Sequence, residues 1–188
     1  MIILASQSPV RAQILTQHHI PFVARPSQYE EIFSPDESLE ENARRLALGK
    51  AQWVFDRLSS DEKKTQIVIG VDTIMQDPRG ILLGKPETRQ EALEMMERRS
   101  GKTEILYSGI ALISVEYTKV SGEFSTILWK NISPEQQILL VNTGEWEGKC
   151  GGVAIEGEAG KFVEHITGSM ENIMGFPLDA FQEMMAVF

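Results

Sequence analysis

Apolar positions along the chain follow two rhythms, and together they predict an alternation of helices and strands. The longest regular pattern covers residues 36–58. There Leu39, Ala43, Leu46, Ala47, Ala51, Val54, Phe55 and Leu58 recur at spacings of three and four and make one stripe on a helix. Lys50 falls inside that stripe. A lysine there either snorkels to the helix edge or turns its ammonium inward to a buried anion, and the helical pattern leaves both open. The second rhythm is the β-branched run over 67–71, which predicts a strand covered on both faces. That strand is expected to end at Asp72, placing a carboxylate where an α/β sheet presents its ligand crevice. Asp77-Pro-Arg-Gly80 predicts a turn and Ile81-Leu-Leu83 a returning strand, a hairpin that would bring Lys85 back near the carboxylate.

The rest of the chain alternates in the same way. Residues 2–5 predict a strand and Ser6-Gln-Ser8 a tight loop; Ser8 suits an N-cap, with Pro9 opening a helix through about Gln17. Strand, short polar loop and helix start make an anion site, because unpaired backbone N–H groups point out of the helix. Ser6 and Ser8 add hydroxyls there and Arg11 sits one turn in, without a Walker lysine or a glycine triplet. Residues 21–23 predict a short strand. The following segment carries Glu30 and Glu31, of which an extended backbone can turn only one toward a given site. Thr88-Arg-Gln-Glu91 predicts a capping box opening a helix that ends near Ser100-Gly101. Strands are expected over 104–115 and 124–129 with a turn around 120–123, and a helix from Ser133 to Thr143-Gly144. The glycine-rich segment 149–157 predicts a short strand paired back by 161–166, and a last helix covers about 178–187. The sum is an α/β fold, a mixed, twisted β-sheet flanked by helices.

Composition narrows the function. The 188 residues suit a single domain, 1–188, with no linker composition inside it. A net charge of −9 with no Lys/Arg cluster argues against polymeric nucleic acid and against an anionic membrane. Small phosphorylated ligands stay open, because a few local cations suffice for those. The single Cys150 excludes an intramolecular disulfide and fits a reducing compartment. The apolar start is too short for a signal peptide and no run approaches bilayer length, so the expectation is a cytoplasmic globular protein.

Several segments, in order, resemble the Maf-like family of nucleoside triphosphate pyrophosphatases, within the inosine-triphosphatase-like fold. They are Leu4-Ala-Ser-Gln-Ser-Pro-Val-Arg11, Leu48-Gly-Lys-Ala51, Gly70-Val-Asp-Thr73, Leu83-Gly-Lys-Pro86, Ser100-Gly-Lys-Thr103 and the stretch from Lys149 through Leu178. Each tetrapeptide alone is weak; the ordered set is specific. The resemblance implies an elongated two-lobed architecture and hydrolysis of a nucleoside triphosphate to monophosphate and pyrophosphate. It also implies a divalent cation, Mg2+ or Mn2+, and homodimers as an assembly. Family roles include septum formation and house-cleaning of surplus or non-standard nucleotides. Carried over, it makes Asp72 the general base, with Glu31 and Asp72 at the metal. Ser6, Ser8 and Arg11 would hold phosphate, Lys50 and Lys85 would surround the triphosphate, and Thr73 and Glu156 would contact substrate.

Three departures stand out. Val10 occupies a position where many members carry Arg, and Glu104 one where many carry His. The late Gly-Ile-Gln-Gly pattern is here Ala154-Ile-Glu-Gly157. An ionised carboxylate only accepts hydrogen bonds, so Glu156 leans the base preference to a guanine-type edge such as 7-methyl-GTP. Thr73 leans to the alternative, dTTP or UTP. Val10 and Glu104 are the only hints of a nucleotide-binding regulator without turnover.

Overall fold

In the computed structural model, which describes residues 1–187, seven strands form one sheet: β1 (Ile2–Leu4), β2 (Phe22–Ala24), β3 (Ile67–Gln76), β4 (Leu82–Leu83), β5 (Thr103–Ile113), β6 (Thr118–Trp129) and β7 (Val163–Thr167). Their order is β2-β1-β3-β5-β6-β7, with β4 paired to β3. β1 is parallel to β2 and β3, whereas β4 on β3 and β7 on β6 are antiparallel, so the sheet is mixed. The flanking helices are α1 (Pro9–Gln17), α2 (Leu39–Asp56), α3 (Ser60–Thr65), α4 (Arg89–Arg99), α5 (Pro134–Asn142), α6 (Met170–Ile173) and α7 (Leu178–Met185). Among the described residues no helix is long and apolar enough to cross a membrane. The backbone divides into two units. The first holds residues 1–73, 107–124 and the segment from 169 onward, and the second holds 74–106 and 125–168.

In the first unit the two-residue period of β1 sorts side chains between two layers. Ile2 and Leu4 join Ile14 and Leu15 of α1, Ile69, Val71, Phe176 and Phe181. Ile3 and Ala5 face Ala47, Ala51, Val54 and Leu58, the stripe read from the sequence. Two glycines let α2 lie close on the strands. A Cβ on Gly70 would sit 2.1 Å from the carbonyl oxygen of Ala47, and one on Gly109 would sit 2.5 Å from that of Ala43. No larger residue fits at either position without moving the helix.

The second unit is organised around a buried charge. Arg99 and Glu104 are both essentially inaccessible to solvent. Arg99 Nε and Nη2 donate to Glu104 Oε1 at 3.2 and 3.1 Å, while Trp129 Nε1 donates to Oε2 at 2.8 Å. The guanidinium also lies over the Trp129 ring and donates to the Gly151 carbonyl, which anchors the glycine-rich segment. Glu104, the departure from His, has both carboxylate oxygens engaged in this packing.

The structure alters several elements. β3 runs on to Gln76, so Asp72 lies inside the strand and not beyond its end; Thr73-Ile-Met75 extends the β pattern and Asp72 finds an ionic partner. The turn between β5 and β6 falls at Ser114–Tyr117, where the Ser114 side chain accepts from the N–H groups of Glu116 and Tyr117. Residues 120–123 are strand, in a part of β6 that is only half-buried and tolerates polar residues. Glu91 accepts from the Glu87 N–H and not from that of the cap, so only the Thr88 half of the expected box forms. Residues 149–157 are not a strand: Gly151 and Gly152, at φ +68° and +63°, set a tight turn instead, and β7 pairs with β6. The helices α3 and α6 are additional. The Ser59/Glu62 capping box of α3 was a readable signal, whereas four-residue α6 is too short for periodicity.

Candidate active site

The first unit carries a compact ionic centre. Lys50 reaches it from the fourth turn of α2, on a backbone held close by the glycine contacts, and Asp72 reaches it from the middle of β3. Their exposures are 7% and 4%. Lys50 Nζ is paired with Asp72 Oδ1 and lies 2.7 Å from Glu31 Oε1. The Glu31 side chain is half exposed, so the centre runs from a buried carboxylate through an ammonium to a carboxylate at solvent. Of the two adjacent glutamates it is Glu31 that faces this centre. The inward reading of Lys50 is the one the structure adopts.

A second constellation lies around the start of α1. Ser8 caps the helix by accepting from the Arg11 N–H at 3.4 Å, and Ser6 Oγ accepts from the Ser8 N–H at 3.2 Å. The Arg11 guanidinium is held by the protein itself: Nη1 donates to Ser6 Oγ at 3.1 Å, Nε to the Gly175 carbonyl at 2.8 Å, and Nη2 to Thr73 Oγ1 at 3.4 Å. Thr73 Oγ1 is in turn 2.8 Å from Ser108 Oγ. Val10 packs its side chain against the apolar cluster under α1.

Two further expected residues belong to the second unit. Lys85 follows β4 and is exposed. Glu156 is exposed and its Oε1 pairs with Lys149 Nζ at 2.8 Å. Partial burial is the largest single influence and works to raise the Glu156 pKa, but the hydrogen bond from Lys149, a backbone N–H and the Lys149 charge together hold the carboxyl below the usual range. Sequence reasoning missed Ser108 and the Gly175 carbonyl. For Ser108 the one available signal was a hydroxyl in the mainly apolar run over 105–113; for a backbone carbonyl there was none.

Among the described residues no three His, Cys, Asp or Glu side chains are gathered to hold a metal by themselves. Two carboxylates nevertheless converge on one cation, the ammonium of Lys50. Mg2+ is commonly held by one or two carboxylates, with water and substrate phosphates completing the shell, so this donor set fits such an ion.

A mixed α/β sheet that sets a buried carboxylate beside an ammonium, with a serine-capped helix start in the same unit, is a scaffold suited to phosphorylated ligands. The chain belongs to the Maf family: the family model described as Maf-like protein matches residues 1–188. It is 36% identical over 186 residues to the dTTP/UTP pyrophosphatase of Caldicellulosiruptor saccharolyticus, covering 98% of this chain and 92% of the relative. The proteins of the same name from Desulfitobacterium hafniense and Bacillus mycoides are 32% and 36% identical, covering 100% and 94% of this chain and 85% and 90% of theirs. The names of these relatives favour the pyrimidine alternative over the guanine-type lean drawn from Glu156.

Proposed function

We propose that this chain hydrolyses dTTP and UTP between the α and β phosphates, releasing the nucleoside monophosphate and pyrophosphate. The observation that carries the reading is the convergence of Asp72, Lys50 and Glu31, a buried proton acceptor held beside a cation whose second carboxylate partner opens to solvent. Asp72 takes a proton from the attacking water as the water oxygen bonds to phosphorus and the anhydride P–O bond breaks, with pyrophosphate leaving. Anhydride hydrolysis depends mainly on positioning and charge stabilisation and needs no covalent nucleophile. Ser6, Ser8 and Arg11 bind phosphate at the start of α1, and Lys50 and Lys85 offset the triphosphate charge. Glu31 and Asp72 would hold a Mg2+ or Mn2+ ion, which would supply charge neutralisation and a more acidic bound water.

The base we assign is thymine or uracil. The names of the relatives support it. House-cleaning of surplus nucleotides in the cytoplasm is the setting that follows. Product analysis with Mg2+ on dTTP, UTP, dCTP, GTP and 7-methyl-GTP tests the whole reading. Pyrophosphate released fastest from dTTP and UTP is the expected result. Inorganic phosphate as the only product, or no turnover, overturns the activity; a preference for guanine nucleotides overturns the base.

A further inference from the structure

We infer that Ser108, in the middle of β5, is a positioning residue that fixes the Arg11 guanidinium through Thr73. Hydrogen-bond accounting carries the assignment. Thr73 Oγ1 receives Arg11 Nη2 at 3.4 Å and has one proton to give. Its choices are Ser108 Oγ at 2.8 Å and the Gly175 carbonyl at 3.4 Å, and that carbonyl already receives Arg11 Nε at 2.8 Å. Ser108 Oγ, fully buried, reaches the Asn172 carbonyl at 3.3 Å. In either sense of the Thr73–Ser108 bond the guanidinium can only donate, so Thr73 Oγ1 is its acceptor and Ser108 is the nearest group holding that oxygen in place.

Two consequences follow. The Thr73 hydroxyl is anchored to the interior by Ser108 and offers a lone pair to the guanidinium, so it acts as an acceptor that orients Arg11. The plane of Arg11 is then set from three sides, by Ser6, by Gly175 and by Thr73, before any ligand arrives. An arginine recognises phosphate through a planar fork, so fixing that plane improves binding without adding a contact. Removing the Ser108 hydroxyl takes away the nearest partner of Thr73 Oγ1, and that oxygen, one of the groups holding the guanidinium, is no longer fixed.

The inference rests on the proposed reading of Arg11 as a phosphate ligand. Its test is therefore read first by calorimetric binding of inorganic pyrophosphate and then by kinetics on dTTP. Ser108→Ala is expected to weaken pyrophosphate binding and raise KM about tenfold, with kcat within about threefold, and Ser108→Thr, which keeps the hydroxyl, to restore both. In an Arg11→Ala background the Ser108→Ala change should have little further effect on either quantity. A similar loss in both backgrounds, or a lowered melting temperature with unchanged binding, overturns the assignment and leaves Ser108 a packing residue. Wild-type protein that binds pyrophosphate but releases none from dTTP would instead overturn the proposed activity and leave this positioning role intact.

Discussion

Lys50 and Asp72, on a helix and a strand, are joined as a buried ion pair whose ammonium also reaches Glu31. The relationship makes the two residues interdependent. A buried charge that loses its partner costs about 3–5 kcal/mol, so substitutions here are read in stability as well as in turnover.

Asp72→Asn is expected to lower kcat on dTTP by about 10²-fold or more, because the amide cannot take a proton. Lys50 keeps Glu31 as a counterion, so the protein should remain folded with a reduced melting temperature. Kinetics beside a thermal melt check both. Turnover near that of the wild type in a folded preparation would remove Asp72 as the base.

Lys50→Ala and Glu31→Gln should differ sharply in stability. The first strands Asp72 as a buried carboxylate and is expected to cost several kcal/mol, even though alanine is the better helix former. The second removes a half-exposed partner and should cost less than about 1 kcal/mol. Urea unfolding of both variants decides it. Equal costs would mean that the ammonium is solvated and not committed to Asp72.

Glu104→Ala should unfold the second unit's core more readily than any surface substitution. It leaves the Arg99 guanidinium uncompensated and the Trp129 indole N–H without its acceptor. A loss of about 3–5 kcal/mol corresponds to a melting temperature lowered by on the order of 10 °C. Glu104→Gln, which retains an acceptor, should lose less.

Glu123 gives a pH dependence with a definite sign. Burial is the main cause that raises its pKa, with Asp179 nearby adding to it, while hydrogen bonds from the Ala180 N–H and the Ser169 hydroxyl oppose the rise. A carboxyl whose folded pKa exceeds its unfolded value contributes stability that is present below the unfolded pKa and lost as pH rises through the folded one. This contribution should therefore grow as pH is lowered from neutrality toward the ordinary carboxylate range. Denaturant melts of wild type and Glu123→Gln across that range should diverge in slope; parallel curves would refute it.

Glu156→Gln should leave dTTP and UTP as the preferred substrates, since an amide can face both the carbonyl and the imino N–H of a pyrimidine. Specificity constants across the nucleotide panel check this. A wild type that prefers guanine nucleotides, together with a variant that loses that preference, would restore the guanine-type reading.

The sequence by itself determined the elements that rest on local rules. Ser8 with Pro9 and Ser133 with Gln136 start their helices where side-chain oxygens meet free N–H groups. The stripe of α2 and the β-branched run of β3 declared which surfaces would be buried. The ordered motifs gave the family, and the odd placement of Lys50 in an apolar stripe marked it for attention. Tertiary structure decided the rest, because it depends on residues far apart in the chain. Whether Lys50 turned inward was settled by a carboxylate 22 positions away and by two glycines that let the helix settle close to the strands. Glu104 became a core ion pair only because Trp129 and Arg99 close on it from other elements. Ser108 met its partners, Thr73 and the backbone at Asn172, only in the packed chain. Local pattern fixes which groups need partners; only the packed chain determines which partners they find.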